Sequence, residues 1–144
     1  EPAPGVLTAI KNANAIILPP ANPITSIKPI LAIKKIAKAL KKSKAKTLAI
    51  SPIIGKNPVS GPAGKLMSDL GYELSPVTIA KFYQDFLDFF IIDSTDLNLK
   101  KIIESIGITC LCTNIKMTSQ KHERELANFT LKSLGLKNLC LKEN

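Results

Sequence analysis

With 144 residues, 45% of them hydrophobic, the chain is long enough for one domain with a real core and too apolar for a disordered segment. It has no tryptophan and only 5% aromatics, so that core must be aliphatic, built mainly from Ile and Leu. A net charge of +9 favours anionic partners, while no run approaches the roughly 20 apolar residues of a membrane-spanning helix.

The opening Glu1-Pro2-Ala3-Pro4-Gly5 reads as a connection rather than a targeting signal, and the first residue is not methionine, so the expectation is a fragment of a longer chain in a reducing cytoplasm. A short helix is predicted from Pro4 to Asn12, then a strand over Ala15–Leu18 that Pro19-Pro20 ends by removing a ladder donor. The loop Asn22-Pro23-Ile24-Thr25-Ser26-Ile27-Lys28-Pro29 leads into a helix from about Pro29 to Lys42, with Ile30, Ile33, Ile36, Ala37 and Leu40 on one face. Lys28, Lys34, Lys35, Lys38, Lys41, Lys42, Lys44 and Lys46 crowd this stretch. They are either the solvated side of an amphipathic helix or a funnel for an anion or nucleic acid. A nucleic-acid reader would want arginines or stacking aromatics there, and the only arginine in the chain is Arg124.

Lys46–Ile50 reads as the second strand. A long loop follows, from Ser51-Pro52-Ile53-Ile54-Gly55 to Ser60-Gly61-Pro62, and then a helix capped by Ser60 that stops at Gly71. Pro76–Phe86 predicts another helix, Phe89–Ile92 a third strand closed by Asp93, and about Leu97 to Ile106 a helix capped from Ser94-Thr95-Asp96. Ile108–Thr113 is the fourth strand, and a last helix runs from about Ser119 to Leu134 before a polar tail expected to fray. Strands alternating with helices argue for an α/β layered fold with a mostly parallel sheet, and four strands are few enough to suggest that a further half belongs to it.

The two loops share a design: each follows a buried strand, feeds a helix, carries hydroxyls and is stiffened by proline. At the carboxyl ends of parallel strands such loops bind ligands, and free amides at a helix start suit phosphate. Asn22, Thr25 and Ser26 of the first loop, and Ser51, Gly55, Ser60, Gly61 and Lys65 of the second, are the candidate contacts. The alternatives are a hydroxyl that merely caps a helix and a Lys65 that faces solvent. The second loop is no P-loop, because Lys65 is followed by Leu66. Asp85, Asp88 and Asp93 either hold magnesium or cap and turn the chain. Cys110 and Cys112 read as small core residues on one strand face, an odd cysteine count with Cys140 argues against a disulfide framework, and His122 reads as an exposed helical residue.

Taken in order, Asn22-Pro23-Ile24-Thr25-Ser26-Ile27-Lys28-Pro29-Ile30-Leu31, Ser51-Pro52-Ile53-Ile54-Gly55, Val59-Ser60-Gly61-Pro62-Ala63 and Asp85-Phe86-Leu87-Asp88 through Asp93 resemble the C-terminal half of the 2-phospho-L-lactate transferase, or CofD, family. The resemblance runs over nearly the whole chain. It implies a Rossmann-like three-layer fold, here as residues 1–144 of a partial domain whose N-terminal half is absent, and a homodimer. It also implies a magnesium-dependent transfer of a phospholactyl or phosphoenolpyruvyl group from a guanosine-diphosphate-activated donor to the deazaflavin FO, releasing GMP, in coenzyme F-420 biosynthesis. The eight candidate contacts fall on the family's motif positions for the donor. Magnesium ligands and the glycine-rich first loop are expected in the absent half, so the chain alone is expected to be inactive. Asn114 and Ser119 stand where family members carry acidic residues. The competing possibilities are a nucleotide-sugar-binding regulator of the gluconeogenesis-factor type and a basic nucleic-acid-binding module.

Overall fold

Short apolar runs pair into one main sheet and a small hairpin in a computed structural model that describes residues 1–59 and 61–136. After the short helix α1 (Val6–Asn12) come strands β1 (Ala15–Leu18) and β2 (Lys46–Ile50), a small hairpin of β3 (Ile53–Ile54) and β4 (Asn57–Pro58), then β5 (Phe89–Asp93) and β6 (Thr109–Thr113). The main sheet has four strands in the order β1-β2-β5-β6, all parallel. Leu18 lies opposite Ala49, Leu48 opposite Phe89 and Phe90 opposite Cys110.

Spatial order equals chain order, so right-handed crossovers carry successive connections to the same side of the sheet. Side chains alternate between the faces, and the packing divides accordingly. Ile16, Leu18, Ala49, Phe90, Ile92, Cys110 and Cys112 belong to one core with Ile27, Met67, Ile79 and Ile103 from the connecting segments. Leu48, Ile50, Ile91 and Leu111 belong to a second core with Leu126 and Phe129 of the last helix, α7 (Gln120–Ser133). The result is three layers, helix–sheet–helix, as expected of a Rossmann-like fold.

The lysine-rich helix departs from its predicted form. After a π-type turn (Pro23–Ile27) come α2 (Lys28–Leu31) and, beyond a break, α3 (Lys34–Lys42). Ile33 is extended (φ −76°, ψ 98°) where a continuous helix over Pro29–Lys42 was expected. The break leaves Ile30 exposed while Ile36 and Leu40 stay buried.

Later helices are shorter than their apolar patterns suggest. Helix α4 covers Ala63–Asp69 and ends in a Schellman arrangement, the Gly71 N–H donating to Ser68 O and the Tyr72 N–H to Met67 O, which requires the left-handed φ of 75° at Gly71. Helix α5 (Pro76–Tyr83) starts on Ser75, whose Oγ accepts from the Val77 N–H, and gives way to a turn before Phe86. The segment after β5 is a 3₁₀ turn (Ser94–Leu99) followed by α6 (Lys100–Glu104), where one helix from Leu97 was expected. Ser119 caps α7, accepting from the His122 N–H. Ser60, Cys140 and the predicted frayed tail beyond Leu136 lie outside the described residues. No helix among the described residues is long and apolar enough to cross a membrane.

Cys110 is fully buried and Cys112 half-buried, both in the first core. Burial first, and then the charges of Cys112 and Glu104, push the Cys110 thiol up to about 12. The reactive thiolate is therefore scarce at neutral pH. Iodoacetamide is expected to leave Cys110 unmodified in the native protein and to alkylate it in urea, as read by peptide mass mapping. Native-state alkylation of Cys110 would contradict this placement.

Candidate functional site at the carboxyl ends of the strands

Because β1 and β2 are adjacent and parallel, the segments that leave them start side by side at one rim of the sheet. The π-type turn of the first segment packs against α4 at the end of the second. The two loops that share a design are thus brought together.

Asn22 builds the first of them. Its Oδ1 accepts from the Ile24 N–H at 2.9 Å and the Thr25 N–H at 3.2 Å, and its carbonyl accepts from the N–H groups of Ser26 (3.0 Å) and Ile27 (3.2 Å). Pro23 and Ile27 are buried and pin the turn, which leaves Thr25 and Ser26 exposed at its crest. The amides expected to face a phosphate are therefore spent on Asn22. Neither hydroxyl caps the helix start, because an asparagine oxygen two or three residues back reaches those donors first.

In the second loop, Ser51 is fully buried. Its Oγ donates to Ile53 O at 2.8 Å and accepts from the Ile53 N–H at 3.1 Å, while its own N–H donates to Ile91 O at 2.8 Å. Ser51 fastens the bend and is not presented at the surface. Gly55, expected to let a ligand approach, sits in the two-residue tip of the β3–β4 hairpin with φ 61°, the left-handed geometry such a tip demands. Its N–H donates to both carboxylate oxygens of Asp96, at 3.1 and 2.9 Å. Gly61 and Lys65 are exposed near the start of α4. Ser60 lies outside the described residues. The rim thus offers the Thr25 and Ser26 hydroxyls and the Lys65 ammonium.

A feature the sequence did not announce lies beside the first turn, a cleft of about 300 Å³ lined by Pro23, Lys28, Leu31, Phe82 and Tyr83. Lys28 Nζ stands 5.1 Å from the Tyr72 ring centre and 5.6 Å from that of Phe82, and the two rings meet edge to face at 4.9 Å. An alkyl-ammonium held over aromatic rings is a familiar stabilising pair. Lys28 and Phe82 are 54 residues apart in the chain, and only the packing of α2 near α5 joins them.

The acidic residues scatter. Asp85 pairs with Lys41 at the surface, and Asp88 accepts from the Thr47 N–H at 2.7 Å near the amino ends of β2 and β5. Asp93, at the carboxyl end of β5, accepts from the Thr95 N–H and hydroxyl through Oδ1 (3.0 and 2.8 Å) and from the Ile115 N–H through Oδ2 (3.2 Å). Among the described residues no group of three His, Cys, Asp or Glu side chains converges. Asp93 and Asp96, the buried carboxylates of this rim, spend their oxygens on the chain's own donors. They do not fit a magnesium site. His122, expected to be exposed, is half-buried and hydrogen-bonds through Nδ1 to Thr118 Oγ1 at 2.8 Å, while Asn114 accepts from the Lys116 N–H.

The sequence pattern of the family described as 2-phospho-L-lactate transferase CofD matches residues 1–125. The chain belongs to this family. It is 47% identical over 121 residues to the 2-phospho-L-lactate transferase of Methanococcus vannielii, an alignment covering 84% of this chain and 38% of that protein. Against the 2-phospho-L-lactate transferase of Methanosarcina barkeri it is 43% identical over 129 residues, covering 90% of this chain and 41% of the relative. The Methanosarcina mazei transferase gives 42% over 131 residues, with 91% and 43% covered. The chain thus spans about two fifths of the length of the curated CofD relatives it matches. Both loops, the aromatic cleft and the Asp93–Asp96 segment lie inside the CofD match.

Proposed function

We propose that this chain forms the donor-side rim of a 2-phospho-L-lactate transferase. In the full-length enzyme it would hold the diphosphate of a guanosine-diphosphate-activated lactate or phosphoenolpyruvate while the phospholactyl or phosphoenolpyruvyl group passes to the deazaflavin FO and GMP leaves. The observation that carries the reading is the adjacency of the Asn22 turn and the Ser51–Lys65 segment at the carboxyl ends of β1 and β2. Thr25, Ser26 and Lys65 are the groups presented there, and Asn22, Ser51, Gly55 and Gly61 shape the backbone that presents them. Transfer at phosphorus depends chiefly on positioning and on offsetting charge, which hydroxyl donors and a lysine supply. Magnesium belongs to this reading through ligands in the N-terminal half of the full-length enzyme. A cytoplasmic homodimer completes it.

Titration calorimetry of the full-length protein tests the reading. Guanosine diphosphate is expected to bind saturably and more tightly than adenosine diphosphate. Ser26→Ala and Lys65→Ala are each expected to weaken it about tenfold, the scale of one lost charge-assisted hydrogen bond. Unchanged affinity in both variants would move the donor elsewhere. The isolated 144-residue chain is expected not to turn over substrate. Salt-sensitive binding of random duplex DNA in place of the nucleotide would instead favour the nucleic-acid module.

A further inference from the structure

We propose that the groove between α1 and α3 docks an acidic amphipathic helix of a partner protein. The groove encloses about 640 Å³. Leu7 of α1 and Ala39 of α3 line it, with Lys11, Lys35, Lys38, Lys42 and Lys44 around them. Leu7 is 37% exposed, an apolar side chain left facing water in a groove that five lysines line. Neither helix carries an acidic residue: α1 reads VLTAIKN and α3 KKIAKALKK.

Part of this lysine content has an ordinary explanation. Lys11 lies in the last turn of α1 and Lys41 and Lys42 in the last turn of α3, where cations offset the negative end of the helix dipole. Lys38 stands mid-helix, where that effect has faded, and Lys35 lies in the first turn, where the dipole's positive end disfavours a cation. Lys35 already receives a carboxylate, its Nζ meeting Glu1 Oε2 at 2.5 Å. Both groups are well exposed, so the pair contributes little stability. It does show that a carboxylate can reach Lys35, one of the residues that line the groove.

The groove stands apart from the nucleotide rim. From the end of α3 the chain passes through Ser43 and Lys44 to Lys46, the first residue of β2, and from the end of α1 it passes to Ala15 of β1, so Lys42, Lys44 and Lys11 lie toward the amino ends of the strands, opposite the Asn22 and Ser51 bends. Two neighbouring helices with an apolar base and cationic walls accept a third helix that sets its apolar ridge between them and its carboxylates against the lysines. Two copies meeting groove to groove would set these lysines against one another. A nucleic acid matches the lysines but not Leu7, and the groove has no arginine or aromatic side chain to read or stack on bases.

The test is fluorescence anisotropy on the purified full-length protein. The probe is a labelled helical peptide of about five turns with leucines along one face and glutamates elsewhere. Controls are the same peptide with lysine for glutamate, a random DNA duplex and vesicles containing phosphatidylserine. The acidic peptide is expected to bind saturably. Lys38→Glu combined with Lys42→Glu should weaken it at least tenfold, and Leu7→Gln, which leaves the charge unchanged, should weaken it several-fold. Circular dichroism and guanosine diphosphate affinity should be unaltered in all three variants. No binding of the acidic peptide would overturn the proposal, as would binding indifferent to Leu7→Gln, which marks simple polyanion attraction. Duplex or vesicle binding that is lost on the lysine substitutions while the peptide stays unbound would overturn it in favour of those ligands.

Discussion

Phe90→Ala is expected to lower the stability of the domain by about 3–5 kcal/mol, the range for emptying a fully buried aromatic site. Phe90 is 0% exposed and sits mid-strand in β5, which is flanked on both sides by β2 and β6. It shares a core with Ile79 of α5 and Ile103 of α6, so two helices and the sheet lose contacts together. A domain of this size commonly holds only about 5–15 kcal/mol in total, so the variant should stand near the edge of folding. Urea denaturation should show a lower midpoint with an unchanged slope. Phe89, one residue earlier, points to the opposite face and is only half-buried. Phe89→Ala should therefore cost clearly less. Equal losses at the two positions would mean that the division of the sheet into two faces is wrong.

Asp93→Ala is expected to cost about 2–4 kcal/mol near pH 7, because hydrogen bonds to a charged acceptor are worth more than neutral ones and a buried donor left bare adds its own penalty. Burial alone would raise the Asp93 carboxyl. The Thr95 N–H and hydroxyl, the Ile115 N–H and the Lys116 charge together outweigh burial and hold it below the usual carboxylate range. With the folded value depressed, the unfolded chain takes up the proton first as pH falls. The stabilisation is therefore complete above the unfolded value of about 3.9 and disappears as pH drops through the folded one. Denaturation midpoints between about pH 6 and 2 should fall more steeply for the native protein than for Asp93→Ala. Parallel acid limbs would show that this carboxylate does not supply the effect.

The sheet was largely legible in the chain. Ala15–Leu18 and Lys46–Ile50 form where proline and apolar runs placed them, since a buried parallel strand is written locally. The break at Ile33 was hidden because Ile30, Ile33, Ile36 and Leu40 keep a helical spacing whether or not the helix is continuous. The hairpin over Ile53–Pro58 was read as a loop because its strands are two residues each and one ends in proline. Adjacency of the two loops followed from parallel pairing alone. What their amides do was not legible, because Asn22 competes locally for donors and Asp96 reaches Gly55 across 41 residues.

That last contact has a mechanical meaning. The Asp96 carboxylate, 5% exposed, tethers the tip of a hairpin leaving β2 to the segment leaving β5. Order at this corner is inherited from folding. The donor proposed for this rim would meet a Gly55 amide already held by Asp96, so that part of the backbone would have less freedom left to lose.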